Sequence, residues 1–164
     1  MNKKRGGHLR YKVDLKNFMA RCEANYQRLH KVFPDMAGDQ VRRLGLTTMK
    51  DREVVLSVKE RTPFTTLLVI EEQSAQGSDR HSEPGWRRPP TLTVRMYHDA
   101  KVAEVVACDR MRNVQPKNRY PNKSMLQRDE KAQWNRFLEE WLAVCIEYGY
   151  VSTSTRVLLS NNVV

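Results

Sequence analysis

Apolar residues recur at helical spacing in two stretches of the chain and at strand spacing in the span between them. The longest helical stripe holds Trp134, Phe137, Leu138, Trp141, Cys145 and Tyr148. At about 100° per residue these share one face, with Arg136, Glu139, Glu140, Ala143 and Glu147 opposite. Gly149 stands where a left-handed C-cap would end the helix. A second stripe, Leu15, Phe18, Met19, Cys22, Tyr26, Leu29 and Phe33, follows an N-cap candidate at Asp14 and stops before Pro34. Both stripes predict helices that pack on a sheet.

From Val41 the period moves towards two. Val41 to Met49 is a weak strand broken by Gly45, whereas Arg52 to Glu60 and Thr65 to Glu72 are rich in β-branched residues. The ERTPF link between these last two places Pro63 where a strand interior could not hold it. Thr91 to His98 and Lys101 to Asp109 make the clearest hairpin. A two-residue turn at Asp99 and Ala100 sets Arg95 opposite Glu104, Met96 opposite Ala103 and Val94 opposite Val105; a four-residue turn with a bulge would shift that register. Arg95 and Glu104 then read as a cross-strand ion pair worth at most about 1 kcal/mol.

The element order, helix, five strands, helix, lacks strand–helix alternation. It predicts an α+β domain over residues 13–149: a five-stranded antiparallel meander with an N-terminal and a long C-terminal helix packed on one face. Residues 73–90 are polar and rich in Gly and Pro, and read as an exposed loop carrying Trp86. Residues 1–12 read as a disordered basic tail and residues 150–164 as a polar tail with a short VLL run.

Charge changes this picture more than composition does. The chain has 164 residues, 29 Lys and Arg against 19 Asp and Glu, and a net charge of +10. Lys3, Lys4, Arg5, Arg10 and Lys12 give the first twelve residues +5, and residues 110–131 hold seven cations against Asp129 and Glu130, another +5. A positive field so concentrated favours an anionic partner: an acidic protein, a nucleotide or nucleic acid. No apolar run reaches the roughly 20 residues of a membrane helix. Cys22, Cys108 and Cys145 are odd in number and set in apolar contexts, as reduced core thiols of a cytoplasmic protein would be.

The search for catalytic motifs is negative. There is no GK[ST] phosphate loop, GxGxxG, CxxC, HExxH or GxSxG, so no cofactor or metal site is expected. Candidate site residues come from two places. Upstream of Trp134 the long stripe continues as Lys131, Glu130, Gln127 and Lys123, so an unbroken helix from Lys123 would aim polar groups where the tryptophans point. Such a rod, about 39 Å long, would overhang the sheet edge or line a cleft. Tyr120, Asn122 and Arg128 belong to the same lead-in, Asn122 fitting equally well as an N-cap. At the hairpin end, Arg95 and Tyr97 offer hydrogen-bonding groups. His98 beside Asp99 would form a base with its orienting carboxylate only if the turn brings them together. His30 falls on the polar side of the first helix.

Three stretches, CEANYQRLHKVFP, LTVRMYHDAKVAEV and YPNKSMLQRDEKAQWNRFLEEWL, together resemble the YqiB-like family of small proteobacterial proteins, a domain of unknown function. The resemblance runs from about Tyr11 to Gly149, and the chain departs from it at residues 73–90 and past Tyr150. It implies a cytosolic single-domain protein and brings no activity, cofactor or catalytic residue to carry over. The residues therefore point first to a non-catalytic binding or adaptor module for an anionic partner. The alternative is a small enzyme acting on a nucleotide or phosphoester, with Glu130 or His98 as general base.

Overall fold

The computed structural model describes residues 14–74, 89–109 and 130–152. The first helix, α1 (Leu15–Val32), starts where Asp14 accepts a hydrogen bond from the Asn17 backbone N–H at 3.1 Å. It ends one residue before Phe33, whose N–H still reaches Leu29 O at 2.8 Å ahead of Pro34. Its buried face is Cys22, Asn25, Tyr26, Leu29 and Val32. Leu15, at 66% exposure, lies outside the core, so only the later turns of the predicted stripe pack.

Six strands follow the meander and extend it: β1 (Val41–Leu46), β2 (Met49–Arg61), β3 (Thr65–Ser74), β4 (Leu92–Tyr97), β5 (Val102–Cys108) and β6 (Gly149–Val151). They form one sheet in the order β5-β4-β3-β2-β1-β6, with every pairing antiparallel. The five predicted strands are present, and the sixth corrects the count. The chain leaves the second helix at Gly149 and pairs at once with Leu44–Leu46 of β1. Three residues are too short for an alternating pattern to show, which is why this edge reads as tail in the sequence.

Two boundaries also shift. Val41–Met49 is not one strand: Leu46 pairs with Met49 across the two-residue loop Thr47–Thr48. The loop itself carries no Gly, Asn or Pro, and Gly45 marks only the irregularity in β1 just before it. Gln73 and Ser74 continue β3 rather than opening the loop. The predicted link holds: the Thr62 hydroxyl accepts from the Thr65 N–H at 2.9 Å, closing a tight turn around Pro63.

The hairpin β4–β5 keeps the expected register, Val94↔Val105, Arg95↔Glu104 and Met96↔Ala103, but the turn is four residues, His98 to Lys101, instead of the two expected, because Tyr97↔Val102 is the last pair. Lys101 takes the left-handed conformation at φ 54°. A bulge at Val106 then moves the pairing to Thr93↔Ala107 and Leu92↔Cys108, which lets Ala103, Val105 and Cys108 all face inward.

The second helix, α2 (Glu130–Tyr148), packs with α1 over one face of the sheet. The core between them contains Leu29, Phe33, Leu56, Leu68, Ile70, Met96, Leu138 and Leu142. The buried face of α2 is Asn135, Leu138, Leu142 and Cys145, rotated from the predicted stripe. Trp134, Phe137 and Trp141 are only half-buried against the core, and Tyr148 is exposed. Gly149 is not left-handed. A Cβ there would lie 2.2 Å from Cys145 O, so the residue must be glycine for the chain to turn from helix into β6. No helix among the described residues is long and apolar enough to cross a membrane.

Candidate functional site

The β4–β5 hairpin carries a polar cluster on each face, because alternate strand residues point in opposite directions. On one side stand Arg95, Tyr97 and Glu104. The Tyr97 hydroxyl donates to Glu104 Oε1 at 3.1 Å, and Lys131, from the first turn of α2, places its ammonium 2.7 Å from Glu104 Oε2. Glu104 stands opposite Arg95 as the register requires, but its carboxylate is taken by Tyr97 and Lys131 instead of by an ion pair with Arg95. Burial, then the neighbouring Glu104 carboxylate, pushes the Tyr97 phenol up, with Arg95 acting against it.

Glu130 adjoins this cluster and differs from it. The residue is 6% exposed, and its Oε1 receives only a long contact from the Trp134 indole N–H at 3.4 Å. Its Oε2 is buried without a hydrogen-bond partner. From Trp134 the rings of Phe137 and Trp141 continue along the helix, with centroids 5.9 Å and then 5.6 Å apart.

On the other side, His98 is held by hydroxyl groups. Its Nδ1 is 3.1 Å from Tyr26 Oη and its Nε2 is 2.8 Å from Thr66 Oγ1. His30 is not on a solvated face. Its ring meets Tyr26 edge-on at 4.7 Å and lies 6.4 Å from His98. Burial, then the proximity of His98, lowers the His30 pKa below its usual 6.5. Asp99 does not orient His98: its Oδ1 accepts from the Ala100 N–H at 2.8 Å and builds the turn. Among the described residues, no hydrogen bond, ion pair or ring contact joins His98 to Glu130.

The structure thus gathers Arg95, Tyr97 and Lys131 around Glu104, sets Glu130 beside Trp134, and separates His98 from both. Tyr120, Asn122, Lys123, Gln127 and Arg128 lie outside the described residues, as do Trp86 and the front turns of the predicted 39 Å rod. Where described, the helix begins at Glu130 and its nineteen residues span about 28 Å.

A buried polar seam between the helices was not legible as a site. Asn25 donates to Asn135 O at 3.1 Å, while Asn135 accepts from the Val105 N–H at 3.1 Å and donates to Lys131 O at 2.8 Å. Glu139 takes Arg21 at 2.8 Å and Arg28 at 3.3 Å. The available signal was Asn25 lying between Cys22 and Leu29, an amide on an apolar stripe. No group of three or more His, Cys, Asp or Glu side chains among the described residues is placed to hold a metal ion.

Charge is partitioned unevenly over the chain. The described residues carry 14 Lys and Arg against 16 Asp and Glu, a net of −2, and the remaining residues carry 15 against 3, a net of +12. Within the cluster itself, Arg95 and Lys131 are matched by Glu104 and Glu130.

Residues 28–151 match the model of a family described as "Protein of unknown function (DUF1249)". The chain is 35% identical over 142 residues to the "Uncharacterized protein YqiB" of Escherichia coli strain K12, covering 85% of this chain and 94% of that one. Its counterparts in E. coli O6:H1 and O157:H7 match equally. No solved structure matches.

Proposed function

Because this chain belongs to the YqiB-like DUF1249 family of unknown function, we propose from its own residues that it is a non-catalytic binding or adaptor module for an anionic partner. The charge distribution along the sequence carries this reading. Residues 1–12 carry +5 with no acid, and residues 110–129 hold six Lys and Arg against Asp129, another +5, so the attraction for anions is concentrated in these two stretches. The cluster at the start of α2 is balanced, and Lys131 is already neutralised by Glu104. That shifts the weight of recognition to Lys123 and Arg128.

Changing Lys123 and Arg128 together to Ala weakens retention of partners captured from the native extract several-fold, and added salt does the same. Lys131→Ala has the smaller effect. If retained partners are indifferent both to the double change and to salt, the electrostatic reading is wrong. The alternative, an enzyme acting on a nucleotide or phosphoester, has less support in this geometry. Both ring nitrogens of His98 face protein hydroxyls, Tyr26 Oη and Thr66 Oγ1, so a substrate would have to displace one of them to reach this base.

A further inference from the structure

Glu130 poses a physical problem that its own surroundings do not solve. A carboxylate withdrawn from water calls for a hydrogen-bonded or charged partner, because burial without one is unfavourable. Here Oε2 has none, and Oε1 has a single 3.4 Å contact from an indole. The adjacent cation, Lys131, is committed to Glu104 at 2.7 Å. No cation among the described residues forms an ion pair with Glu130, although the charges of the cluster as a whole balance.

The neighbours indicate what would complete the site. Glu130, Trp134, Phe137 and Trp141 follow one another at spacings of four, three and four, so they line one side of the helix. The carboxylate stands at the head of this line and three half-buried rings form an apolar wall behind it. A cation gains from the face of an indole as well as from the carboxylate, and a hydrocarbon stem gains from covering the rings. A metal ion would need further ligands, and no cluster of them is present among the described residues.

We propose that Glu130 and Trp134 form a binding site for a primary alkylammonium group, whose aliphatic stem lies along Phe137 and Trp141. This goes beyond the anion-binding reading and asks for the opposite charge, so each stands or falls separately.

The test uses the full chain with n-butylammonium chloride, compared with sodium chloride at equal ionic strength and with neutral n-butanol. Butylammonium raises the melting temperature and shifts the tryptophan fluorescence, while sodium chloride and butanol do neither. Glu130→Gln, nearly the same shape without the charge, weakens the butylammonium response by about tenfold or more. Trp134→Phe, which keeps a ring but loses the indole, weakens it by a smaller factor and serves as the second variant should Glu130→Gln not fold. A wild-type chain that ignores butylammonium overturns the proposal. So does a response of equal size in wild type and Glu130→Gln, or in wild type and Trp134→Phe.

Discussion

His30 is the residue whose environment departs most from its sequence reading. It belongs to the polar side of α1 by periodicity, yet the hairpin turn brings His98 to 6.4 Å from it and Tyr26 packs against its ring. Burial and the second histidine both disfavour its charged form. The unfolded chain therefore binds this proton more readily than the folded one. His30 contributes its full stability above pH 6.5, and that contribution is lost as pH falls through the lowered folded value. Chemical denaturation at a series of pH values should show stability dropping below pH 6.5, with a shallower drop in His30→Gln. An unchanged profile in the variant would assign the acid sensitivity to other groups. The cysteines, by contrast, lie where their apolar contexts place them: all three are buried. Burial, the largest cause in each case, raises the Cys22 thiol to about 11 and the Cys145 thiol to about 12.

At the scale of elements, a single amide seats α2 on the rest of the fold. Asn135 is fully buried and joins α1, α2 and the edge strand β5 through Asn25 Nδ2, Lys131 O and the Val105 N–H. Asn135→Ala leaves the Val105 donor buried without a partner and opens a small void. A loss of about 2–4 kcal/mol is expected, most of it the cost of the unmet donor. Urea denaturation measures it; a loss under about 1 kcal/mol would mean that Val105 finds another acceptor. The bond to Asn25 uses Asn135's backbone carbonyl and survives the change. The same seam explains the rotated buried face of α2. A hydrophobicity count places Trp134, Phe137 and Trp141 at the centre of the stripe, but the Asn135 contacts turn Leu138, Leu142 and Cys145 inward instead.

For the whole molecule, the informative quantity is where the charge resides. The net charge of +10 is not spread evenly along the sequence: residues 1–12 and 110–129 carry +5 each, and the rest of the chain is balanced. Removing residues 1–12, which carry +5 and no acid, should lower the salt concentration at which the chain elutes from a polyanion resin. Elution at the same salt would mean that the first segment takes no part in the attraction. Glu53 and Glu72, both buried in the sheet, are paired with Arg43 at 3.6 Å and Arg52 at 3.0 Å. Those arginines are partnered within the sheet.

The sequence by itself determined the class of fold, the two helices and the five longer strands. All of these rest on periodicity, caps and turn chemistry, which act between residues close in the chain. It also determined the excess of positive charge, which is a sum and needs no geometry. Only the tertiary structure decided that β6 closes on β1, that His98 meets Tyr26, Thr66 and His30, and that Glu104 pairs with Lys131 rather than with Arg95. Each of these joins residues far apart in the chain through contacts of a few ångströms, and no local pattern encodes them. The unpartnered oxygen of Glu130 is the extreme case, since a missing contact is visible only once every neighbour has been placed.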